Sequence, residues 1–138
     1  MALKKSCKQL VAEAESRIKT IRVEEAKALH GREDTLFVDI RDVRELDREG
    51  TIPGALHAPR GMLEFWIDPE SPYYKEVFGS GKTFVFFCAL GWRAALATDT
   101  AQAMGLEPVC HFEGGFSAWK EAGYPTAERA KKEKPKKP

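Results

Sequence analysis

The sequence predicts an α/β fold, with a mostly parallel central sheet flanked by helices on both faces. Three observations predict it. Short apolar runs rich in aromatic and β-branched residues recur at 35–40, 84–88 and 108–112 and read as buried strands. Stretches with apolar residues at helical spacing lie between them. Strands that alternate with helices pair in parallel and are covered on both faces. At 138 residues, 43% of them hydrophobic, the chain has room for one core and little more. It contains no internal repeat.

The elements follow in order. Residues 3–19 read as an amphipathic helix, with Leu3, Leu10, Val11, Ala14 and Ile18 near one face. It is expected to pack on the domain; a dimer contact is the alternative. Residues 20–23 are a short strand or entry turn, and 24–29 a helix stopped by Gly31. Residues 35–40 form a buried strand and 43–49 a short helix. Pro53 and Gly54 make a turn. A short strand at 56–58 leads to a helix near 61–67, which Pro69 and Pro72 end. Residues 73–78 are a further candidate helix. The central strand is 84–88 and the helix after it 92–104, capped by Gly105. The last strand is 108–112, Gly114-Gly115 a turn, and 116–122 the last helix. The organisation expected is an N-terminal helical extension (1–20), one domain (21–126) and a basic tail (127–138).

The tail carries one Arg and five Lys against two Glu, while the whole chain has a net charge of +1. It has no apolar periodicity and reads as solvated and disordered. A basic arm for an acidic partner is the alternative. Overall charge calls for no nucleic acid. Cys7, Cys88 and Cys110 have no Cys-x-x-Cys pairing and no zinc-like spacing with His30, His57 or His111. No metal or other cofactor is expected. An odd cysteine count without a framework suits a reducing compartment. No apolar run approaches the ~20 residues of a membrane span, and the N-terminus lacks a signal-peptide core. A cytoplasmic location is the expectation.

The most informative stretch is Phe84-Val85-Phe86-Phe87-Cys88-Ala89-Leu90-Gly91-Trp92-Arg93-Ala94-Ala95. A buried strand ends at a thiol, and a helix begins a few residues later. The opening amides of a helix and its dipole favour an anion. The same field makes a thiolate available. A small buried hydrophobe is the plain alternative for Cys88. Gly91 and Arg93 argue against it, because a core thiol needs no anion-binding turn.

Cys88-x-x-x-x-Arg93 between a strand and a helix resembles the active-site loop of rhodanese-type sulfurtransferases. Phe37-Val38-Asp39-Ile40-Arg41-Asp42 resembles that family's first strand and its Asp-x-Arg turn. Gly50-Thr51-Ile52-Pro53-Gly54-Ala55 resembles its Gly-His-Ile-Pro-Gly-Ala segment, with Thr51 in place of the usual His. Phe112-Glu113-Gly114-Gly115-Phe116-Ser117-Ala118-Trp119, followed by Gly123-Tyr124-Pro125, resembles its closing segment. The four pieces stand in the right order over about residues 21–126.

The resemblance implies a sulfurtransferase. A Cys88 thiolate takes sulfane sulfur from thiosulfate or a persulfide, holds it as a persulfide, and passes it to cyanide or a thiol. Amides from Ala89, Leu90, Gly91, Trp92, Arg93 and Ala94 would cradle the outer sulfur. Arg93 is expected to order the loop by bonding carbonyls or a carboxylate. Asp39 and Arg41 read as a structural ion pair and turn; positive potential at the mouth is the alternative for Arg41 and a candidate role for Arg60. Asp39 and His57 read as structural residues near the site, with Asp39 within reach of loop amides. Cys110 reads as core; resolving an oxidised Cys88 is its alternative role. Trp92 is expected at the loop rim. Ala89 and Leu90 stand where family members that favour thiosulfate often carry basic residues, so a protein or small-molecule persulfide rivals thiosulfate as donor. The loop counts six residues from Cys88 through Arg93. The related phosphatase-like loops have one more and cradle a phosphate. The expected partners are a small sulfur donor and acceptor or a protein one, and the chain a monomer or homodimer. A non-enzymatic sulfur-carrier or partner-binding module is the rival reading.

Overall fold

The computed structural model describes residues 2–129. Among these residues five strands form one sheet: β1 (Lys19–Ile21), β2 (Thr35–Asp39), β3 (Leu56–His57), β4 (Thr83–Phe87) and β5 (Val109–Phe112). Their order is β1-β5-β4-β2-β3, and every neighbouring pair is parallel. From β2 the chain moves outward to β3. It then returns to the other side of β2 as β4 and continues to β5. The order therefore reverses between β2 and β4, the place where sites form at the carboxyl ends of a parallel sheet.

Among the described residues six helices flank the sheet: α1 (Cys7–Arg17), α2 (Val23–Leu29), α3 (Val43–Glu49), α4 (Leu63–Ile67), α5 (Trp92–Ala103) and α6 (Gly115–Glu121). Their starts are chemically marked. Ser6 and Gln9 form a capping box on α1, and Asp42 and Glu45 form one on α3.

Strand alternation sorts the core onto two faces. Phe84, Phe86 and Cys88 join Val38 and Ile40 against α4 and α5. Val85 and Phe87 join Phe37, Cys110 and Phe112 against α2 and α6, where Phe116 and Trp119 are buried. The expected α/β fold, with helices on both faces, is the one observed.

Three local expectations are revised. Leu3 and Leu10 are 77% and 43% exposed, so the buried face of α1 is Val11 and Ala14. That face packs on α5, where Arg17 forks Asp99 at 2.8 and 2.7 Å. Residues 73–78 hold only a 3-10 turn, Glu76–Gly79. The Ser71 hydroxyl takes the Tyr73 amide, and Lys75 donates its own back to Trp66, so no helical ladder starts there. The basic tail begins against the body. Ala127 exchanges two backbone hydrogen bonds with Thr51, both 2.8 Å, and Arg129 bonds Asp47. Residues 130–138 lie outside the described residues. Among the described residues no helix is long and apolar enough to cross a membrane.

A buried ion pair fastens the end of β2. Asp39 and Arg41 are both fully buried. Arg41 grips both oxygens of Asp39 at 2.9 and 2.8 Å, and also donates to the Gly50 carbonyl at 2.7 Å. The Thr51 hydroxyl donates to Asp39, and the Arg41 guanidinium lies 4.4 Å from the centre of the Phe116 ring. Removing one member of such a pair strands the other charge in the core. Asp39→Asn is therefore expected to lower unfolding free energy by about 3 kcal/mol or more, measured by denaturant titration. A loss within experimental error would show that the pair carries no such role.

Candidate active site

β4 delivers Cys88 at its carboxyl end, on the face covered by α5. Its Sγ accepts the Gly91 amide at 3.1 Å and the Ala94 amide at 3.4 Å. The first amides of a helix have no partner inside it, and here that of Ala94 is spent on sulfur. The turn depends on Gly91, whose φ of 143° is disfavoured for residues with a Cβ. No atom lies within 4 Å of where its Cβ would stand, so conformation, not crowding, selects glycine. Cys88 is only 1% exposed and sits at the floor of a cup of about 400 Å³. Cys88, Ala89, Leu90, Gly91, Trp92 and Arg93 line this cup. Leu90 and Trp92 stand at its rim, 71% and 54% exposed.

The loop's carbonyls are held from behind. Phe116 donates its amide to the Cys88 carbonyl at 2.8 Å, and Ser117 to the Ala89 carbonyl at 3.0 Å. The start of α6 thus binds the loop, and a Cβ on Gly115 would come within 2.5 Å of the Cys88 oxygen. The expectation for Gly114-Gly115 was a turn; the support of the loop was missed. Glu45 was missed too. It takes Arg93 in a bidentate pair at 2.7 and 2.9 Å. That bond holds the Glu45 carboxyl below its ordinary range and raises Arg93, to which Glu45, Cys88 and Asp39 add charge. The depressed Glu45 keeps the pair closed above its ordinary value, and the pair is lost as pH falls through the lowered one. The Asp42-x-x-Glu45 spacing signals a capping box, but not a partner on another helix.

The other expected residues fall in different places. Ala94 contributes its amide to Sγ. Arg41 is not at the mouth: it points to the opposite face of the sheet and is consumed by Asp39, Glu49 and Gly50. Arg60 bonds Glu64 and Thr100 and does not line the cup. Asp39 bonds Arg41 and Thr51 rather than loop amides. His57 donates from Nε2 to the Arg41 carbonyl at 2.7 Å and so braces the turn after β2. Cys110 lies on the other face of the sheet from Cys88, which removes it as a resolving thiol. Burial pushes its thiol up to about 11.

A buried histidine stands beside the loop. His111 is 4% exposed, its Nε2 lies 2.8 Å from the Thr20 hydroxyl, and its Nδ1 has no partner. Burial lowers its pKa from 6.5 to about 4.

Two outcomes follow from this geometry. Gly115→Ala is expected to cost at least about 2 kcal/mol, through positive-φ strain and overpacking. Gly54→Ala, also at positive φ but in open space, should cost less. Equal losses in denaturation would refute the claim that α6 must press on the loop. For His111, the folded state favours the neutral ring while the unfolded chain binds a proton at the ordinary value. Stability should be full above pH 6.5 and decline as pH falls toward about 4. His111→Gln should flatten the slope between about pH 6.5 and 5, where carboxylates are still ionised; an unchanged slope in thermal melts would contradict this.

The comparisons agree with this architecture. The family model for the rhodanese-like domain matches residues 22–122. The chain is 30% identical to human thiosulfate:glutathione sulfurtransferase over 108 residues, covering 74% of this chain and 93% of that protein. A solved protein of unknown function from Rhodopseudomonas palustris, described as a possible tyrosine phosphatase, is 53% identical with a TM-score of 0.90, covering 92% and 98% of the two chains. The homodimeric polysulfide-sulfur transferase of Wolinella succinogenes is 30% identical with a TM-score of 0.65, covering 87% and 85%. The family model covers residues 22–122 of the 138, well over half of the chain, and the chain belongs to the rhodanese-like domain family.

Proposed function

We propose that this protein is a sulfurtransferase that carries sulfane sulfur on Cys88. One observation carries the reading: the Cys88 sulfur sits at the focus of the Gly91 and Ala94 amides, at the floor of a small apolar cup. Amides fixed in that direction stabilise an anionic sulfur without reorganising. In the first half-reaction the Cys88 thiolate attacks the outer sulfur of a donor. The donor's sulfur–sulfur bond breaks and its electron pair leaves with sulfite or a thiolate. Cys88 then holds a persulfide. In the second, cyanide or a thiolate attacks the outer sulfur, and the electron pair returns to Cys88 Sγ. The two steps give ping-pong kinetics.

A phosphatase reading is raised by the description of the Rhodopseudomonas relative. The cup argues against it. Its lining contains no Asp or Glu to protonate a leaving group. Its single arginine is engaged by Glu45. The six-residue loop is also one short of the phosphate-cradling length. A carrier or partner-binding module remains distinct from an enzyme by one property, multiple turnover.

Mass spectrometry tests the reading. Incubation with thiosulfate or a small persulfide should add about 32 Da, one sulfur atom, in keeping with persulfide chemistry. Cyanide should remove it as thiocyanate. Cys88→Ser should abolish the gain, while Cys7→Ser and Cys110→Ser should not. An adduct that persists in Cys88→Ser sinks the proposal. A loaded protein that releases sulfur once but never turns over would mark a carrier. Hydrolysis of an aryl phosphate through Cys88 as fast as sulfur transfer would move the assignment to a phosphatase.

A further inference from the structure

A second cavity, of about 310 Å³, lies against the loop. Leu90, Gly91 and Trp92 line both cavities, whereas Cys88 lines only the first. The remaining walls are different in character. Glu15 comes from α1, Thr20 from β1, and His111 and Glu113 from β5 and its end. No side chain among the described residues pairs with either carboxylate. His111 adds an independent observation: its ring is buried, it lines the cavity, and Nδ1 has no protein partner among the described residues. In the tautomer that donates Nε2–H to Thr20, Nδ1 presents a lone pair. The lowered pKa keeps the ring neutral.

This set offers two negative charges, a hydroxyl and a nitrogen acceptor. An ammonium group has three donors, no acceptor and one positive charge, and complements it. The loop beside it offers no free cation for an anionic sulfur compound, because Arg93 is taken by Glu45. We propose that this cavity binds the ammonium group of an aminothiol that exchanges sulfur with Cys88 across the Leu90–Trp92 rim. The inference rests on the sulfur-transfer reading and names the class of its acceptor. The step balances. The aminothiol sulfur bonds the outer sulfur of the Cys88 persulfide, and the Cys88 Sγ–S bond breaks. The electron pair stays on Cys88 as thiolate, and the thiol proton ends on the new aminopersulfide. No net oxidation occurs.

The test compares cysteamine with N-acetylcysteamine, its uncharged analogue, as acceptors from the loaded wild type and from Glu15→Gln/Glu113→Gln. The ratio of kcat/KM for the two thiols is taken within each protein, so changes in overall rate cancel. Glu15 and Glu113 are exposed, and two such charge pairs should favour cysteamine by up to about tenfold in the wild type, with the ratio collapsing in the double variant. A ratio equal in both proteins overturns the proposal. A second measurement needs no turnover: ethylammonium titrated into isotope-labelled protein should move the His111 and Gly114 resonances saturably, and not in the double variant. Absence of a saturable shift in the wild type overturns the proposal whatever the rates. A wild type that binds ethylammonium but passes sulfur neither to cyanide nor to either thiol refutes the sulfur-transfer reading and the exchange role together, while the ammonium site stands.

Discussion

A short loop can aim its amides inward only if its carbonyls are satisfied outward. Every backbone unit brings one donor and one acceptor, and a buried one left unpaired is costly. Between Cys88 and Ala94 the sorting is complete enough to be useful. The amides of Gly91 and Ala94 turn toward sulfur. The carbonyls of Cys88 and Ala89 turn the other way and are met by the opening amides of α6. Two helix N-termini therefore meet at one loop: α5 supplies the field on the sulfur, and α6 absorbs the backbone polarity that this field leaves over. Gly115 permits the second contact, since any side chain there would occupy the space of the carbonyls.

The sheet separates the two jobs that the ends of its strands perform. Odd and even residues of β2 and β4 face opposite layers. Cys88 falls on the α5 side, and Asp39 and Arg41 on the α6 side with Phe37 and Phe116. One face thus holds the Cys88 thiol. The other holds a buried ion pair that ties β2, Gly50, Thr51 and the Phe116 ring together. Thr51 acts through both its groups. Its hydroxyl completes Asp39, and its backbone pairs with Ala127. The segment after Pro125 is in this way fastened to the same network.

What the sequence discloses follows the range of each interaction. The strand ending at Cys88, the helix after it and the need for Gly91 are local, and period-2 and helical spacing reveal them. The carboxylate partner of Arg93 could be anticipated as a type but not as Glu45, 48 positions away. Arg60, and Arg41 in its alternative reading as a mouth residue, show the opposite case; the Asp39–Arg41 ion pair itself is the one expected. As charges beside a strand end the two arginines suggest a basic mouth, yet each has an acidic partner close in sequence that sets its direction. Arg41 turns to Asp39 and Phe116, and Arg60 to Glu64 and Thr100. Likewise a histidine in an apolar strand looks like core. Only the register of β1 against β5, which sets Thr20 opposite His111, brings its ring to a cavity wall beside the loop.

The consequence is an electrostatic setting that differs from that of a basic sulfur-binding cup. Backbone dipoles remain the positive feature at Sγ, because each nearby guanidinium has an acidic partner. Dipoles of this kind act over the length of a bond or two, whereas a free guanidinium would attract a dianion from farther out. A cup built so favours the charge that develops on the sulfur it holds over the charge carried by an approaching oxyanion. Its apolar lip of Leu90 and Trp92 strengthens that bias by excluding water once a ligand covers it. Glu15 and Glu113 then stand just beyond the lip, where they oppose anions and draw cations. On the proposed reading, selection by charge is displaced from Cys88 to the neighbouring cavity, and α1, which supplies Glu15, joins the surface that a substrate meets.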